Sequence, residues 1–245
     1  HICTITQNKI ILINMNEIKK PYKITTFESG PMANFIYLIE DNATKKCALV
    51  DPAWDLTNIF EYIQQQSLFL ERILLTHSHN DHVNAIDRVL TDYDIPININ
   101  HDEQVFWRKK YDNFNLNYGG DLIQLGDTII KSIHTPGHTP GSTCYYIGDD
   151  LVAGDTLFVF GCGRCDLHGG DPELMYKSLR QIRDSLSSDT IILPGHNYST
   201  KKTSTLNNEI KNNPFFHFDD LNKFVQYRMI THDEVRKSPY GPVPK

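Results

Sequence analysis

The sequence predicts an α/β domain, because short apolar segments typical of buried strands alternate with segments of helical periodicity along most of the 245 residues. The strand candidates are rich in β-branched and aromatic residues and are bounded by Gly, Pro, Asp and Asn. The helix candidates carry apolar residues at i, i+3, i+4 and i+7. The predicted strands lie at 35–39, 47–50, 73–75, 95–99, 128–133, 143–147, 151–153 and 191–193, and the predicted helices at 55–66, 83–90, 172–186, 203–212 and 219–230.

The composition excludes several function classes. Apolar residues make up 40% of the chain and charged residues 22%, which is typical of a globular protein and not of a disordered or membrane-spanning one. The net charge of −6 lacks the basic excess that binding a phosphate backbone requires. The apolar run at 10–13 is far too short for a signal-peptide core or a membrane span. We therefore expect no nucleic-acid partner and no membrane partner.

The cysteines favour a reducing compartment. Their number, five, is odd, and they lack the repeated spacing of a disulfide framework. Cys162 and Cys165 have the C-x-x-C spacing of redox or zinc motifs, but no second pair accompanies them. We expect a cytoplasmic protein in which this pair has a structural role.

Three segments are predicted along the chain. The sequence begins with His1, and its first methionine, Met15, is followed by a run of mixed charge. We therefore expect residues 1–20 to be an N-terminal extension, and residues 1–14 are a candidate cloning remnant. Residues 21–200 form the main domain in this interpretation. The polar, Pro-rich residues 201–245 are expected to form a small helical C-terminal appendage.

The strongest chemical signal is a histidine cluster between a predicted strand and a predicted helix. The run His77-Ser78-His79-Asn80-Asp81-His82 places three imidazoles and one carboxylate within six residues. Zinc accepts both ligand types, and a tight turn lets the first two histidines converge on one ion while Asp81 and His82 reach a second. A solvated loop that is rich in histidine by chance is the alternative, but the chain has only 11 histidines.

Three further motifs follow predicted strands. They are Gly137-His138-Thr139, Gly154-Asp155-Thr156 and Gly195-His196. With H-x-H-x-D-H, these motifs stand in the order found in the metallo-β-lactamase superfamily, which the sequence resembles over about residues 23–200. The resemblance implies an αββα sandwich, in which two β-sheets carry helices on their outer faces and bind metal at one edge.

The resemblance also implies a dinuclear metal site. Carried over residue by residue, the ligands are His77, His79 and His138 for one ion, Asp81, His82 and His196 for the other, and Asp155 as the bridge. Asp81 and Asp155 are the catalytic residues in this assignment. We expect two zinc ions, with iron or manganese as alternatives. Two ions about 3.5–4 Å apart acidify a shared water, so a metal-bridging hydroxide is the expected nucleophile on a carbonyl carbon.

Within the superfamily, the sequence resembles glyoxalase II, the hydroxyacylglutathione hydrolase. The segment from Gly154 to Arg164 carries this resemblance, together with Tyr198, which matches a glutathione-contacting tyrosine. The implied function is hydrolysis of a thioester, with Arg164 and Tyr198 binding the substrate. The sequence departs from that family at Cys165 and Asp166, where an aromatic residue and a tyrosine are usual. Lys201, Lys202 and Lys211 are candidates for the basic group that grips glutathione carboxylates.

A second branch also fits. The segment 166–172 and the tail 236–242 are similar to hydrolases found with bacterial polyketide synthases, which are thought to release acyl groups from carrier-protein thioesters. The substrate would then be carrier-bound, and the partner would be an acyl carrier protein. The acidic pairs of the C-terminal appendage oppose an acidic partner unless basic residues face it. These basic residues are Lys223, Arg228, Arg236 and Lys237.

Two other interpretations stay open. Persulfide dioxygenases share this fold and hold one iron with two histidines and a carboxylate, a set available here as His77, His138 and Asp155. A non-catalytic signalling module is the last alternative. His134 either orients a ligand or is simply hydrogen-bonded. The remaining histidines are expected to be surface or structural residues, namely His101, His168, His217 and His232.

Overall fold

The computed structural model describes residues 20–245, so the predicted extension at 1–20 lies outside the described residues except for its last residue. Two six-stranded sheets and a two-stranded ribbon form the β-structure. The strands are β1 Tyr22–Ser29, β2 Asn34–Asp41, β3 Lys46–Val50, β4 Phe69–Leu74, β5 Ile97–Asn100, β6 Phe114–Asn117, β7 Leu122–Leu125, β8 Thr128–His134, β9 Thr143–Ile147, β10 Asp150–Gly154, β11 Leu157–Phe158, β12 Gly161–Cys162, β13 Ile191–Pro194 and β14 Ser204–Thr205.

The first sheet has the order β1-β2-β3-β4-β5-β6. Strands β1 to β3 are antiparallel neighbours, and β3 to β6 run parallel. Parallel strands end at the same edge of a sheet. The loops after β3, β4 and β5 therefore meet at one edge, together with the amino end of β2.

The second sheet has the order β14-β13-β10-β9-β8-β7. Strands β10 and β13 run parallel, and the other neighbouring pairs are antiparallel. The carboxyl ends of β8, β10 and β13 lie at the same edge, because β8 and β10 both pair antiparallel with β9. Each of these three strands leads into a loop that carries one predicted ligand.

Hydrophobic packing explains why the two sheets face each other. Strand β2 is buried along its whole length, since Phe35, Tyr37 and Ile39 lie in a cluster between the sheets and Ile36 and Leu38 lie in a cluster under the helices. Successive side chains of a strand point to opposite faces, so a strand covered on both sides is continuously apolar. The order of layers is helix, sheet, sheet, helix, which confirms the αββα sandwich that the family resemblance implies.

The helices cover the outer faces. They are α1 Thr57–Gln65, α2 Asn80–Val83, α3 Ile86–Asp92, α4 His101–Trp107, α5 Pro172–Ser185, α6 Leu206–Asn212, α7 Leu221–Gln226 and α8 His232–Val235, with a 3₁₀ turn at Pro214–Phe216 and a π-helical segment at Tyr227–Thr231. Helix α5 begins at an effective cap, because the Asp171 carboxylate accepts hydrogen bonds from the backbone N–H groups of Glu173 and Leu174.

Two expectations about elements were wrong in detail, and one element was missed. The helix predicted at 83–90 is interrupted, because the backbone N–H of Ala85 donates to the carbonyl of Pro52, 3.2 Å away. The helix predicted from residue 203 begins at Leu206, since Ser204 and Thr205 pair with β13 instead. The periodicity of the sequence does not predict the short helix α4, whose residue Glu103 is fully buried.

The C-terminal segment is packed onto the second sheet. Leu206, Phe215 and Phe224 are buried in the same cluster as Met175 and Leu179 of α5. Whether this segment is a separate unit stays a prediction. Within residues 20–245, no helix combines the length and apolar character needed to cross a membrane.

Candidate metal centre

The predicted ligands converge at the edge where the two sheets open. The segment from His77 to His82 follows β4 of the first sheet, whereas His138, Asp155 and His196 follow β8, β10 and β13 of the second. Gly195 is required for this approach, because a Cβ atom there would lie 2.2 Å from Oδ1 of Asp155. A residue with a side chain at position 195 would therefore collide with the Asp155 carboxylate.

The first ligand group consists of His77, His79 and His138, with one nitrogen of each within 4.8 Å of the others. Nδ1 of His79 lies 2.9 Å from Nε2 of His138. The rings of His77 lie edge-on to both of the others at centroid distances of 4.8 Å. Three imidazole nitrogens that point at one place are a donor set suited to zinc.

The second group consists of Asp81, His82 and His196, whose ligand atoms also lie within 4.8 Å of one another. Nε2 of His82 is 3.1 Å from Nε2 of His196. Oδ2 of Asp81 lies 3.5 Å from the first of these nitrogens and 3.4 Å from the second. The group therefore offers two nitrogens and one carboxylate oxygen.

Asp155 lies between the two groups. Its Oδ1 is 3.4 Å from Nε2 of His82, and its Oδ2 is 3.5 Å from Nε2 of His138 and 3.4 Å from Nε2 of His196. A carboxylate that contacts both donor sets has the geometry expected of a bridging ligand. Asp155 is also buried, so its charge requires compensation by cations.

Two orphaned polar atoms show that these residues fit a metal. Among residues 20–245, Nε2 of His77 and Oδ1 of Asp155 are buried side-chain atoms without a hydrogen-bond partner. Buried polar atoms in native proteins are almost always satisfied. A cation placed among the two groups would satisfy both atoms, and it would also relieve the close contacts between imidazole nitrogens.

Supporting hydrogen bonds fix the orientation of the imidazole rings. Nδ1 of His138 donates to the Arg164 carbonyl at 2.7 Å, and Nδ1 of His196 donates to the Met32 carbonyl at 2.9 Å. These bonds leave Nε2 of each ring free as a ligand. Ligand histidines in metalloproteins are usually held in this way, which fixes the tautomer and raises ligand basicity.

Asp51 supports His82 and was not predicted. Its Oδ2 is 2.9 Å from Nδ1 of His82 and accepts from the Thr76 hydroxyl at 2.6 Å, while its Oδ1 accepts from the Thr76 backbone N–H at 2.8 Å. Asp51, His77 and His82 also form a close donor group. Because Asp51 contacts the Nδ1 side of His82 and leaves Nε2 free, we assign it to orientation of the ring.

The electrostatics of the two groups differ. Burial lowers the pKa of His77 and His79 and lowers the pKa of His138 to about 4. Burial also opposes charge on His82, but the nearby carboxylates, Asp155 first, raise its pKa to about 9. The pKa of His196 is likewise raised, mainly by Asp155 against burial. The first group is therefore neutral at pH 7, and His82 carries a proton that a metal must displace.

A cavity of about 620 Å³ opens in front of the ligands. Tyr198, predicted to bind substrate, lines it and stacks on His196 with ring centroids 4.5 Å apart and an interplanar angle of 9°. Arg164 also lines the cavity, but its guanidinium is held by both carboxylate oxygens of Asp166 at 2.8 and 2.5 Å. Asp166, which departs from the glyoxalase II pattern, is therefore ion-paired with Arg164, the residue predicted to bind substrate.

Part of the cavity lining, contributed by the C-terminal segment, is basic. Arg228, Arg236 and Lys237 line it, with Asp233 as the acidic residue among them. Arg228 is 4% exposed, and its Nε is buried without a hydrogen-bond partner in the described part of the chain. The lysines proposed as the basic group, Lys201, Lys202 and Lys211, are not among the residues that line the cavity.

The other residues singled out from the sequence have structural surroundings. Nε2 of His134 donates to the Pro140 carbonyl at 2.9 Å and so supports the loop that carries His138. Cys162 and Cys165 are buried free thiols whose pKa is raised by burial, for Cys165 to about 12. Neither thiol is therefore a thiolate near neutral pH.

The two-sheet sandwich with His/Asp ligand groups at one edge defines a metal-dependent hydrolase. The family model described as Metallo-beta-lactamase superfamily matches residues 29–196. The chain therefore belongs to the metallo-beta-lactamase superfamily.

Named relatives fall in two branches. The probable polyketide biosynthesis zinc-dependent hydrolase BaeB of Bacillus velezensis is 33% identical over 214 residues, which cover 87% of this chain and 95% of that protein. The hydroxyacylglutathione hydrolase of Pectobacterium atrosepticum is 35% identical over 170 residues, which cover 68% of this chain and 62% of that protein. Both branches named by the sequence resemblance are thus represented.

Solved structures agree with the fold. The crystal structure of ETHE1 from Myxococcus xanthus has a TM-score of 0.77 and 25% identity, and covers 85% of this chain and 91% of that chain. The structure of TTHA1623 in a di-iron-bound form has a TM-score of 0.67 and 28% identity, and covers 78% of this chain and 99% of that chain.

Proposed function

We propose that the protein is a dinuclear zinc thioesterase that hydrolyses the acyl thioester of an anionic thiol carrier. The observation that carries the proposal is the position of Asp155, which lies within 3.5 Å of ligand nitrogens from both groups. When bound, a pair of zinc ions supplies Lewis-acid polarisation of a carbonyl and a water that is acidic near neutral pH. Such chemistry needs no protein nucleophile.

The residues of the chain perform the remaining tasks. Asp155 stays ionised because the neighbouring imidazoles hold its pKa well below the usual range, although burial opposes the charge. Phe158 and Tyr198 form an aromatic wall beside His196, with ring centroids 5.9 and 4.5 Å from its imidazole. This wall excludes water from one side of the site and leaves room for an acyl chain.

The basic part of the cavity lining supports an anionic carrier. Arg228 is buried, and among the described residues its guanidinium contacts the His232 imidazole at 3.0 Å, the exposed Asp233 carboxylate at 3.7 Å and the face of the Phe215 ring at 5.6 Å. A buried cation paired with one half-exposed carboxylate at 3.7 Å is incompletely compensated, which favours binding of an anion. The carboxylates of glutathione and the phosphate of a phosphopantetheine arm both provide one.

Two observations favour a carrier-bound substrate as the second candidate. Asp166 holds Arg164, so this cation is less available to a free carboxylate than the glyoxalase II resemblance implies. In addition, the relative BaeB, named for polyketide biosynthesis, is matched over 95% of its length. An acyl carrier protein would then be the partner that delivers the thioester.

The test compares metal forms and substrates. Metal-free, zinc-loaded and iron-loaded protein are assayed with lactoylglutathione, an acetylated acyl carrier protein, a β-lactam and glutathione persulfide. Release of free thiol from the two thioesters is followed in the presence and absence of oxygen, while ring opening is followed for the β-lactam and oxygen uptake for the persulfide. We expect oxygen-independent thiol release by the zinc form with one of the two thioesters, and none by His138→Ala. Turnover that requires iron and oxygen with a persulfide substrate would replace the proposal with the dioxygenase alternative.

A further inference from the structure

A buried carboxylate connects two of the loops that carry ligands. Glu103, in helix α4, is 0% exposed and is not among the residues that line the cavity in front of the ligands. Its Oε1 accepts hydrogen bonds from the backbone N–H and the hydroxyl of Ser78 at 2.7 and 2.6 Å. Its Oε2 accepts from the Thr139 hydroxyl at 2.7 Å and from the Gly141 N–H at 3.0 Å.

These four donors belong to loops from different sheets. Ser78 lies between His77 and His79 after β4, and Thr139 directly follows His138 after β8. All three histidines belong to the first ligand group. Glu103 therefore joins the two backbone segments that must keep one donor set in place.

The loop after β8 is fitted closely to Glu103. A Cβ atom on Gly141 would lie 2.1 Å from the backbone nitrogen of Glu103, so only glycine permits this approach. The Thr139 hydroxyl also contacts the Ser142 hydroxyl at 2.7 Å, which gives the loop a second internal tie. Four short bonds offset the desolvation of the carboxylate, and a neutral side chain cannot accept all four.

We propose that Glu103 is a positioning residue for the metal bound by His77, His79 and His138, and that it acts on this ligand group selectively. The second group receives its support elsewhere, because His82 is held by Asp51 and His196 by the Met32 carbonyl. This inference rests on the proposed metal site but not on the substrate. A loss of support for the Ser78 and Thr139 loops separates the donors of the first group and leaves the second in place.

The experiment measures zinc affinity in proteins that retain one ligand group each. His196→Ala isolates the first group, and His138→Ala isolates the second. Glu103→Gln is added to each, and dissociation constants are measured by competition with a chelator. We expect Glu103→Gln to weaken zinc binding about 10- to 100-fold in the His196→Ala background, which is the range typical of residues that hold a metal ligand in place. In the His138→Ala background we expect a change of less than about threefold.

Asp41→Asn is the matched control. Asp41 is also 0% exposed and accepts hydrogen bonds from Thr44, Asp127 and Thr128. It is the last residue of β2, whereas the amino end of that strand, Asn34, lies at the edge that carries the ligands; at 3.3 Å per residue the two ends are about 23 Å apart. We expect a lower melting temperature from this variant and unchanged zinc affinity in both backgrounds. The milder Thr139→Val, which deletes one donor, serves if Glu103→Gln does not fold.

The outcomes separate the inference from the proposed function. Equal weakening in both backgrounds, or none in the first, overturns the selective role of Glu103. Zinc stoichiometry and thiol release of the unmodified protein test the proposed function independently. A protein that binds two zinc ions but hydrolyses no thioester refutes the function and leaves the role of Glu103 to be judged from the affinity ratio.

Discussion

Replacing Asp51 should weaken zinc binding at one of the two ligand groups and destabilise the metal-free protein. Its carboxylate is 3% exposed and makes three hydrogen bonds, two to Thr76 and one to Nδ1 of His82. Asp51→Ala removes the acceptor that orients the His82 ring and leaves two buried donors on Thr76 unpaired. We therefore expect weaker binding of the metal held by Asp81, His82 and His196.

The magnitude follows from these contacts. Removal of an outer-shell partner of a ligand typically costs 10- to 100-fold in metal affinity, or about 1.4–2.7 kcal/mol. The metal-free protein should also lose about 3–5 kcal/mol of unfolding free energy, the usual cost of breaking a buried charged pair. Asp51→Asn keeps the shape and one acceptor oxygen, so its effects on affinity and stability should be smaller.

The assay is a chelator competition for zinc together with thermal unfolding of the metal-free protein. Asp41→Asn again controls for loss of a buried carboxylate far from the site. The expected pattern is a weaker second zinc in Asp51→Ala, an intermediate value in Asp51→Asn, and no change of affinity in the control. Unchanged affinity for both zinc ions in Asp51→Ala would refute the assignment of Asp51 to ring orientation.

Three further predictions concern the bridge, the substrate and pH. Asp155→Ala should lose activity and at least one zinc per chain by elemental analysis, because adjacent cations lose their shared anion; two tightly bound ions and normal turnover would contradict this. In steady-state assays, Arg164→Ala should raise KM for an anionic thioester more than it lowers kcat. Asp166→Ala should lower KM, because it frees the Arg164 guanidinium from its ion pair. An unchanged KM in both variants would show that Arg164 does not bind the substrate. Zinc binding at pH 7 should release protons, because the pKa of His82 is raised to about 9, so affinity should rise with pH up to that value. Calorimetry in buffers of different ionisation enthalpy measures this release, and a buffer-independent heat would exclude it.

The positions that converge at the candidate metal centre, which the family resemblance implies as ligands, could be named from the sequence because their signals are local. Four ligands stand within six residues, and each of the other three directly follows a strand that periodicity identifies. The α/β class was predictable from apolar strand segments that alternate with helical periodicity, whereas the αββα layering came from the family resemblance. Strands covered on both faces are continuously apolar, so the burial of β2 agrees with that layering but does not by itself specify it.

The supporting residues were not predictable, since their partners are distant in sequence. Asp51 lies 31 positions before His82, and Glu103 lies 36 positions before Thr139. A buried aspartate after a strand and a glutamate in a short helix carry no distinct pattern. The one sequence signal for Asp51 was its place directly after the apolar strand β3; its left-handed backbone, with a φ of 51°, is visible only in the structure.

Because the ligands are divided between the two sheets, metal binding requires that the sheets have docked against each other. In each group two ligands come from the segment 77–82 that follows β4, and the third follows a strand of the second sheet, as His138 in one group and His196 in the other. A chain whose sheets have not docked can offer no complete donor set. Zinc at about 100 times its dissociation constant therefore adds about 2.7 kcal/mol to the free energy of unfolding of the molecule whose sheets have docked. A molecule whose sheets have not docked gains nothing, so zinc favours the correctly folded form.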